Sequence, residues 1–548
     1  MPYDAARATV DDLLHRDVVA RIWRRDVSVW EAQPNSNVAA AIANRLGWLD
    51  LPTSMAEPLG RVEAFADGVR ADGITHVYLL GMGGSSLCAE VMRCVFGERD
   101  GYPRLVVMDT TDESAIAGVL NALEPRRTFF LVSSKSGGTI EPASMEKLYW
   151  AHMSQALGAE AGRHFGAVTD PGTALARLAT ERGYREVFLN PADIGGRFSA
   201  LSLFGLVPGA LIGAPVRDML SAGADMAAGC RQGNHMNPGL ELGAFYGVSA
   251  REGRDKLTVV LPNALRSLGL WIEQLVAEST GKHGTGALPV VDEPLGAPDE
   301  YGEDRCFVAI ATERESFDEA RLDALEHAGH PVLRLTTRQN ALGAEFFRWE
   351  FATAVAGAVL GINPFDEPNV AEAKDKTKAI LASGDLSGGT PAASGGGVVV
   401  FSKFSGERPA DVVRAAIDSI RPGDYVAFLS YLRADDATTQ AVADIRERIR
   451  QRTHAASTFG VGPRYLHSTG QYHKGGPNTA VAFVITGEDE TNTPIPDAPF
   501  TFSQLKRAQA VGDAQTLEAH GRRTVRIHVA RGADPISALR TLFTDALA

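Results

Sequence analysis

Two turns rich in glycine and serine hold the residues whose types and spacing best suit chemistry. Gly81-Met82-Gly83-Gly84-Ser85-Ser86 follows the β-rich run His76–Leu80 and leads into an apolar-periodic helix from Leu87. The first amides of a helix have no intrahelical acceptors and lie at the positive end of its dipole, so such a turn can face an anion. The second turn, Ser133-Ser134-Lys135-Ser136-Gly137-Gly138-Thr139, repeats the setting and adds hydroxyls and one ammonium, a mixture suited to phosphate. Either turn alone reads equally well as a plain glycine bend with a solvated lysine. Two of them after neighbouring strands converge at the carboxyl edge of a parallel sheet. The first is no dinucleotide fingerprint, because Ser86 stands where GxGxxG needs its last glycine, although Asp109 could imitate the ribose-binding acid.

Three more segments add charge. Gly195-Gly196-Arg197-Phe198-Ser199 delivers an arginine to the start of an apolar helix, where it opposes the dipole unless an anion compensates it. A helix over Ala264–Glu278 has Leu265, Leu268, Ile272, Leu275 and Val276 on its apolar side and leaves Gln274 and Glu278 four apart on another face. Glu278 falls just before Ser279-Thr280-Gly281, where the negative end of the dipole raises a buried carboxyl's pKa toward that of a general base. By itself a helix-terminal glutamate is ordinarily solvated, and its neighbours must supply the role. Gly281-Lys282 is not a nucleotide loop, since Val276 and His283 replace the required glycine and hydroxyl. Asn363–Pro368 turns into a helix carrying Lys374, Lys376 and Lys378, and His467 and His473 flank a polar stretch where either could act as acid or base. The two histidines lack the companions of a metal site.

The elements that position these residues alternate in the manner of parallel α/β folds. A helical segment over 1–60 precedes runs at His76–Leu80, Arg104–Met108, Thr128–Ser133, Gly166–Thr169 and Glu186–Leu189, which define a first α/β domain over 61–240. Leu257–Leu261, Cys306–Ala311 and Pro331–Leu335, with helices between and after them, define a second over 241–382. The stretch 383–397, SGDLSGGTPAASGGG, reads as a flexible linker. Val398–Phe401, Asp424–Ser430, Ala480–Thr486 and Thr524–Val529 then make a third α/β unit over 398–548.

Composition narrows the classes. With 45% hydrophobic and 22% charged residues the chain can fill several cores and is not disordered. A net charge of −13 argues against a nonspecific nucleic-acid binder. Cys88, Cys94, Cys230 and Cys306 contain no CxxC pair, and Met1–Arg25 has no apolar signal core, so a reducing cytoplasm is expected. The uncharged run Phe198–Val216 is broken by Pro208 and Pro215 and reads as a buried helix and turn rather than a membrane span.

Taken together, GMGGSS, SSKSGGT, GGRFS, Gln274 with AESTGK, NPFDEP leading to Lys374, and LHSTGQYHKGGP resemble the signature segments of the glucose-6-phosphate isomerase family. The chain is also similar to the isomerase half of bacterial fusions of transaldolase with that enzyme, although no transaldolase barrel fits in its short N-terminal region. The resemblance implies three-layer αβα sugar-isomerase domains with parallel sheets and an active site between domains, commonly across the interface of a homodimer. It implies a sugar-phosphate substrate, no cofactor or metal, and a fusion or association with transaldolase. By the same resemblance Ser134, Lys135, Ser136 and Thr139 hold the phosphate, Gly84, Ser85 and Gly196 line the sugar end, and Gln274 orients the substrate. Glu278 moves a proton between carbons 2 and 1, Arg197 stabilises the enediolate, and His467 with Lys374 assists ring opening. Two departures stand out. The histidine segment follows the lysine segment instead of preceding it, and Glu367 occupies a position that is glutamine in many members. Isomerisation of another phosphosugar, and a noncatalytic sugar-phosphate sensor, are the alternative readings.

Overall fold

Strands that are apolar along their whole length, rather than at every second residue, must be covered on both faces, and this dictates the layering. Thr128–Ser133 and Arg305–Thr312 are buried at every position. The computed structural model describes residues 3–33, 35–338 and 340–548. Its first sheet comprises β1 (His76–Gly81), β2 (Arg104–Met108), β3 (Thr128–Ser133), β4 (Phe165–Thr169) and β5 (Glu186–Leu189), all parallel in the order β2-β1-β3-β4-β5. The strand order reverses between β1 and β3, the place where ligands settle in open α/β sheets. Gly81 is the register partner of Ser133, so the two serine-rich turns leave the sheet side by side.

The second sheet, β6 (Lys256–Val260), β7 (Leu288–Val290), β8 (Arg305–Thr312) and β9 (Val332–Thr337), is parallel in the order β7-β6-β8-β9. The third contains β10 (Ala393–Gly395), β11 (Val398–Ser402), β12 (Tyr425–Ser430), β13 (Ala456–Val461), β14 (Ala480–Gly487) and β15 (Arg523–Val529), in the order β10-β11-β15-β14-β12-β13. Here β11 runs antiparallel to both its neighbours and the remaining pairs are parallel. The expected α/β class with parallel sheets is what the chain adopts. Short β7 and the Ser/Thr/Gly-containing β13 add to the strands expected from sequence, and β10 forms inside the glycine-rich stretch 383–397.

Among the described residues five α-helices precede β1, the last being Ala56–Ala71. The helix expected from Ala264 begins at Leu268, after a short 3-10 turn at Asn263–Leu265, and extends to Thr280. The uncharged run becomes helix Leu203–Leu211, buried throughout with Pro208 inside it, and no described helix is long and apolar enough to cross a membrane.

One apolar core joins the N-terminal helices to the first two sheets. At its centre helix Pro238–Arg251 lies against helix Leu342–Leu360 through glycines spaced by four, Gly239, Gly243 and Gly247. A Cβ on Gly243 would stand 2.3 Å from the Ala352 carbonyl oxygen, so backbone meets backbone there. A separate cluster packs Tyr425, Leu429 and Val484 of the third sheet with Ala277, Leu288 and Val290. Helix Leu268–Thr280 is thereby held between the second and third sheets. Gly243→Ala is expected to lower stability by about 1–3 kcal/mol through overpacking, seen as a lower guanidinium midpoint at unchanged slope.

Candidate active site

Glycine lets three distant segments touch. Gly83 has φ +54°, and a Cβ on it would lie 2.6 Å from the His467 carbonyl oxygen and 2.8 Å from Gln274 Nε2. On Gly84 a Cβ would come 2.0 Å from the Gly196 oxygen. The first serine-rich turn is therefore pressed against the arginine turn on one side and the histidine turn on the other. Ser133 Oγ donates to the Ser85 carbonyl at 2.7 Å and ties the first turn to the second.

In the second turn, Ser134 and Ser136 Oγ lie 3.4 and 3.5 Å from Thr139 Oγ1. Thr139 is the N-cap of the 18-residue helix Ile140–Leu157 and makes no side-chain cap bond, leaving its hydroxyl and the first amides for a ligand. Ser134 is buried, Thr139 half-buried and Ser136 exposed, a gradation that suits an anion entering from solvent. Lys135 is not a free cation: its ammonium is paired with Asp170 and also reaches the Ala192 carbonyl at 3.4 Å. An anion here would meet amides and hydroxyls first, with Lys135 already partly neutralised.

Arg197 is 3% exposed and fully engaged. Its Nε donates to Ser279 Oγ at 2.7 Å, Nη2 to the carbonyls of Pro364 and Asp366 at 2.9 Å each, and Nη1 to Glu367 Oε2 at 2.9 Å. The same Nη1 lies 3.6 Å from Glu278 Oε1. Lys282 anchors the Asn363–Pro368 turn from the other side, donating to Asn363 O, Asp366 O and Asp366 Oδ1 at 2.6–2.9 Å. Burial and the nearby Arg197 lower the Lys282 pKa to about 8.

Glu278 is 8% exposed, and burial pushes its carboxyl up to about 7. Arg197 works against that rise, Glu367 reinforces it, and the Gln274 hydrogen bond and His467 oppose it. The elevation expected from the helix end therefore has desolvation as its main cause. Gln274 Nε2 donates to Glu278 Oε2 at 3.1 Å and to the His467 carbonyl at 2.7 Å, while its Oε1 is buried without a partner. A ligand hydroxyl would satisfy that acceptor.

His467 Nε2 lies 3.0 Å from Glu141 Oε1, which also accepts from Gln509 Nε2 at 2.6 Å. Burial raises the Glu141 pKa, but His467, with a contribution from Lys374, outweighs it and holds the carboxyl below its ordinary value. Lys374 itself is exposed, and its charge is felt at Glu141. His473 is sealed in the interior, within hydrogen-bond distance of the Tyr425 hydroxyl at 2.8 Å, and burial lowers its pKa to about 3. Between the two histidines, geometry puts His467 at the site.

The structure thus gathers Gly84, Ser85, Gly196, Arg197, Gln274, Glu278 and His467 around one point, with Ser134–Thr139 on the adjoining turn and Lys374 at the margin. Glu141 and Gln509 lie outside the motifs legible in the sequence, whereas Ser279 and Lys282 lie inside AESTGK with no role foreseen for them. Of the first pair only Glu141 left a trace, as an acid in the first turn of the helix that follows SSKSGGT.

A phosphoglucose isomerase family profile matches residues 55–304. The glucose-6-phosphate isomerase of Symbiobacterium thermophilum is 32% identical over 395 residues, 61% of this chain and 86% of that protein. That of Rubrobacter xylanophilus is 28% identical over 387 residues, covering 61% and 88%. The chain belongs to the phosphoglucose isomerase family. Among solved structures, a hypothetical protein from Thermus thermophilus shares the fold with TM-score 0.59 at 24% identity over 68% of this chain and 97% of that one. The glucose-6-phosphate isomerase from Chlamydia trachomatis does so with TM-score 0.55 at 20% identity over 69% and 86%.

Glu367→Gln removes one of the charges that keep Glu278 from ionising and releases Arg197 toward it. Both changes act in one direction, so the Glu278 pKa should fall from about 7, by roughly one unit, in a pH titration of its infrared carboxylate band.

Proposed function

We propose that this chain interconverts glucose 6-phosphate and fructose 6-phosphate by ring opening and proton transfer through an enediolate. The observation that carries this reading is Glu278, a buried carboxyl with a pKa near 7, held between Gln274 and Arg197 beside a phosphate-type turn. A base that exchanges protons with carbon near neutral pH needs such a value. The amides and hydroxyls of Ser134, Ser136 and Thr139, with Lys135, fix the phosphate end so that carbons 1 and 2 lie at the carboxylate. Glu278 takes the proton from carbon 2 and returns it to carbon 1. The guanidinium of Arg197, immobilised by Ser279, the Asn363–Pro368 turn and Glu367, meets the negative charge of the enediolate without reorganising. His467, oriented by Glu141, moves a proton to and from the ring oxygen, with Lys374 adding positive charge nearby.

This reading takes 61–240 and 241–382 as paired sugar-isomerase domains and 398–548 as the third unit that brings His467 to them. It places the enzyme in the cytoplasm with its phosphorylated substrates, and an association with transaldolase belongs to the same reading.

Glu278→Gln, isosteric and unable to accept the proton, is expected to lower kcat by about 10²–10⁴-fold while sugar-phosphate binding persists. The assay forms glucose 6-phosphate from fructose 6-phosphate at matched folding by circular dichroism. No turnover by the parent protein, with binding intact, would replace this reading by that of a sensor. His467 meets Glu141 at 3.0 Å and Gln274 at 2.7 Å within one chain, so this reading assigns no group of the site to the partner in the homodimer implied by the resemblance. Specific activity is therefore expected to stay constant on dilution through any dimer dissociation seen by sedimentation. A proportional loss would show that the partner contributes to the site.

A further inference from the structure

Glu273 precedes Gln274 on helix Leu268–Thr280 and points away from the active site into a second cavity of about 390 Å³. The walls come from helices Leu87–Phe96, Leu268–Thr280 and Asp436–Thr453, the end of β13, the Val291-Asp292 segment after β7 and the Arg464–His467 turn. Its volume falls within the range of small-ligand pockets.

What distinguishes the lining is a buried carboxyl and a buried guanidinium that feel each other's charge but are not in direct contact with a counter-ion. Glu273 is 8% exposed and makes no hydrogen bond or ion pair with another described residue. Arg446 is 6% exposed. It spends Nε and Nη2 on Ser457 and the Val291 carbonyl at 2.7–3.1 Å, and among the described residues no carboxylate lies at ion-pair distance from it. Arg464 commits Nε and Nη2 to Asp109 at 2.7 and 2.8 Å. The other charges pair among themselves, Glu90 with Arg93 and Arg266 with Asp292, apart from Asp436, which is exposed at the rim. A buried carboxyl and a buried guanidinium in one cavity, unpaired with each other, carry a desolvation cost that a ligand can offset.

The guanidinium suits an anion, and the carboxyl with the hydroxyls of Ser468 and Thr469 suits sugar hydroxyls. Burial, aided by Asp292 and opposed by Arg446 and Arg464, pushes the Glu273 carboxyl up to about 8, so near neutral pH it is mostly uncharged and does not repel an anion.

We propose that this cavity is a second binding site, for a small hydroxylated anion of the sugar-phosphate or sugar-acid type, whose occupancy tunes the isomerase site. The tuning rests on the isomerase reading and the binding does not. A ligand there meets Glu273, adjacent to Gln274, and the hydroxyls of Ser468 and Thr469, directly after His467, and so bears on both segments that shape the catalytic site.

Ala443 lines the cavity three residues before Arg446 on the same helix, so Ala443→Glu both fills the space and gives Arg446 a carboxylate. Calorimetric titration of the full chain with 6-phosphogluconate should show two binding events. Ala443→Glu should keep one and weaken the other more than tenfold, with Glu273→Gln weakening the same event, and turnover at low substrate without the probe unchanged. Glucitol 6-phosphate and gluconate, titrated separately, support the site through whichever reproduces the second event and identify the phosphate or the carboxylate as its anchor. A single event on the parent, or a second event untouched by both substitutions, overturns the proposal. Two events on a protein without turnover would leave the cavity assignment standing and remove the isomerase reading.

Discussion

On the isomerase reading Glu278 must hold and release a proton near neutral pH, and its desolvation is the constraint around which the molecule is arranged. Burying it requires cover on every side: the glycine turn of the first sheet, the Asn363–Pro368 turn, and the histidine turn borne by the third sheet. Burial alone would leave the group permanently neutral. Arg197 supplies the counterweight at 3.6 Å, and Glu367 shares that guanidinium so the pull is moderated. The result is a carboxyl poised between its two forms.

Such a guanidinium is itself expensive to bury, and its placement accounts for much of the surrounding backbone. The carbonyls of Pro364 and Asp366 accept from Arg197 while those of Asn363 and Asp366 accept from Lys282, so one irregular turn solvates two cations. Irregular backbone is apt here because its carbonyls are not consumed by a helix or a ladder. Glu367 fits this scheme as a third charge in a balanced set with Arg197 and Glu278.

The features legible in the order of amino acids are those that depend on local spacing. The four-residue separation of Gln274 and Glu278 puts both on one helix face, and their side chains do meet. The two serine-rich turns are legible because strand, turn and helix follow one another in sequence, and the Gly81–Ser133 register confirms their adjacency. What escapes such reading joins residues far apart in the chain. Lys135 and Asp170, Arg197 and Glu367, and Glu141 and Gln509 are separated by 35, 170 and 368 positions, and no periodicity links them. Strands β7 and β13 give no usable pattern because three residues are too few to show one and because Ser, Thr and Gly dilute the apolar signal.

The third sheet gives the site a timetable. Strand β15, at residues 523–529, is wedged between β11 and β14, so the sheet that supports the His467 turn cannot close until that late segment is available. During synthesis the first two sheets, with their phosphate-type turns, can fold while hundreds of positions remain to be added. On the isomerase reading, a nascent chain of that kind already carries the phosphate-type turns but lacks the His467 turn, and the site is completed in a late step when β15 locks in.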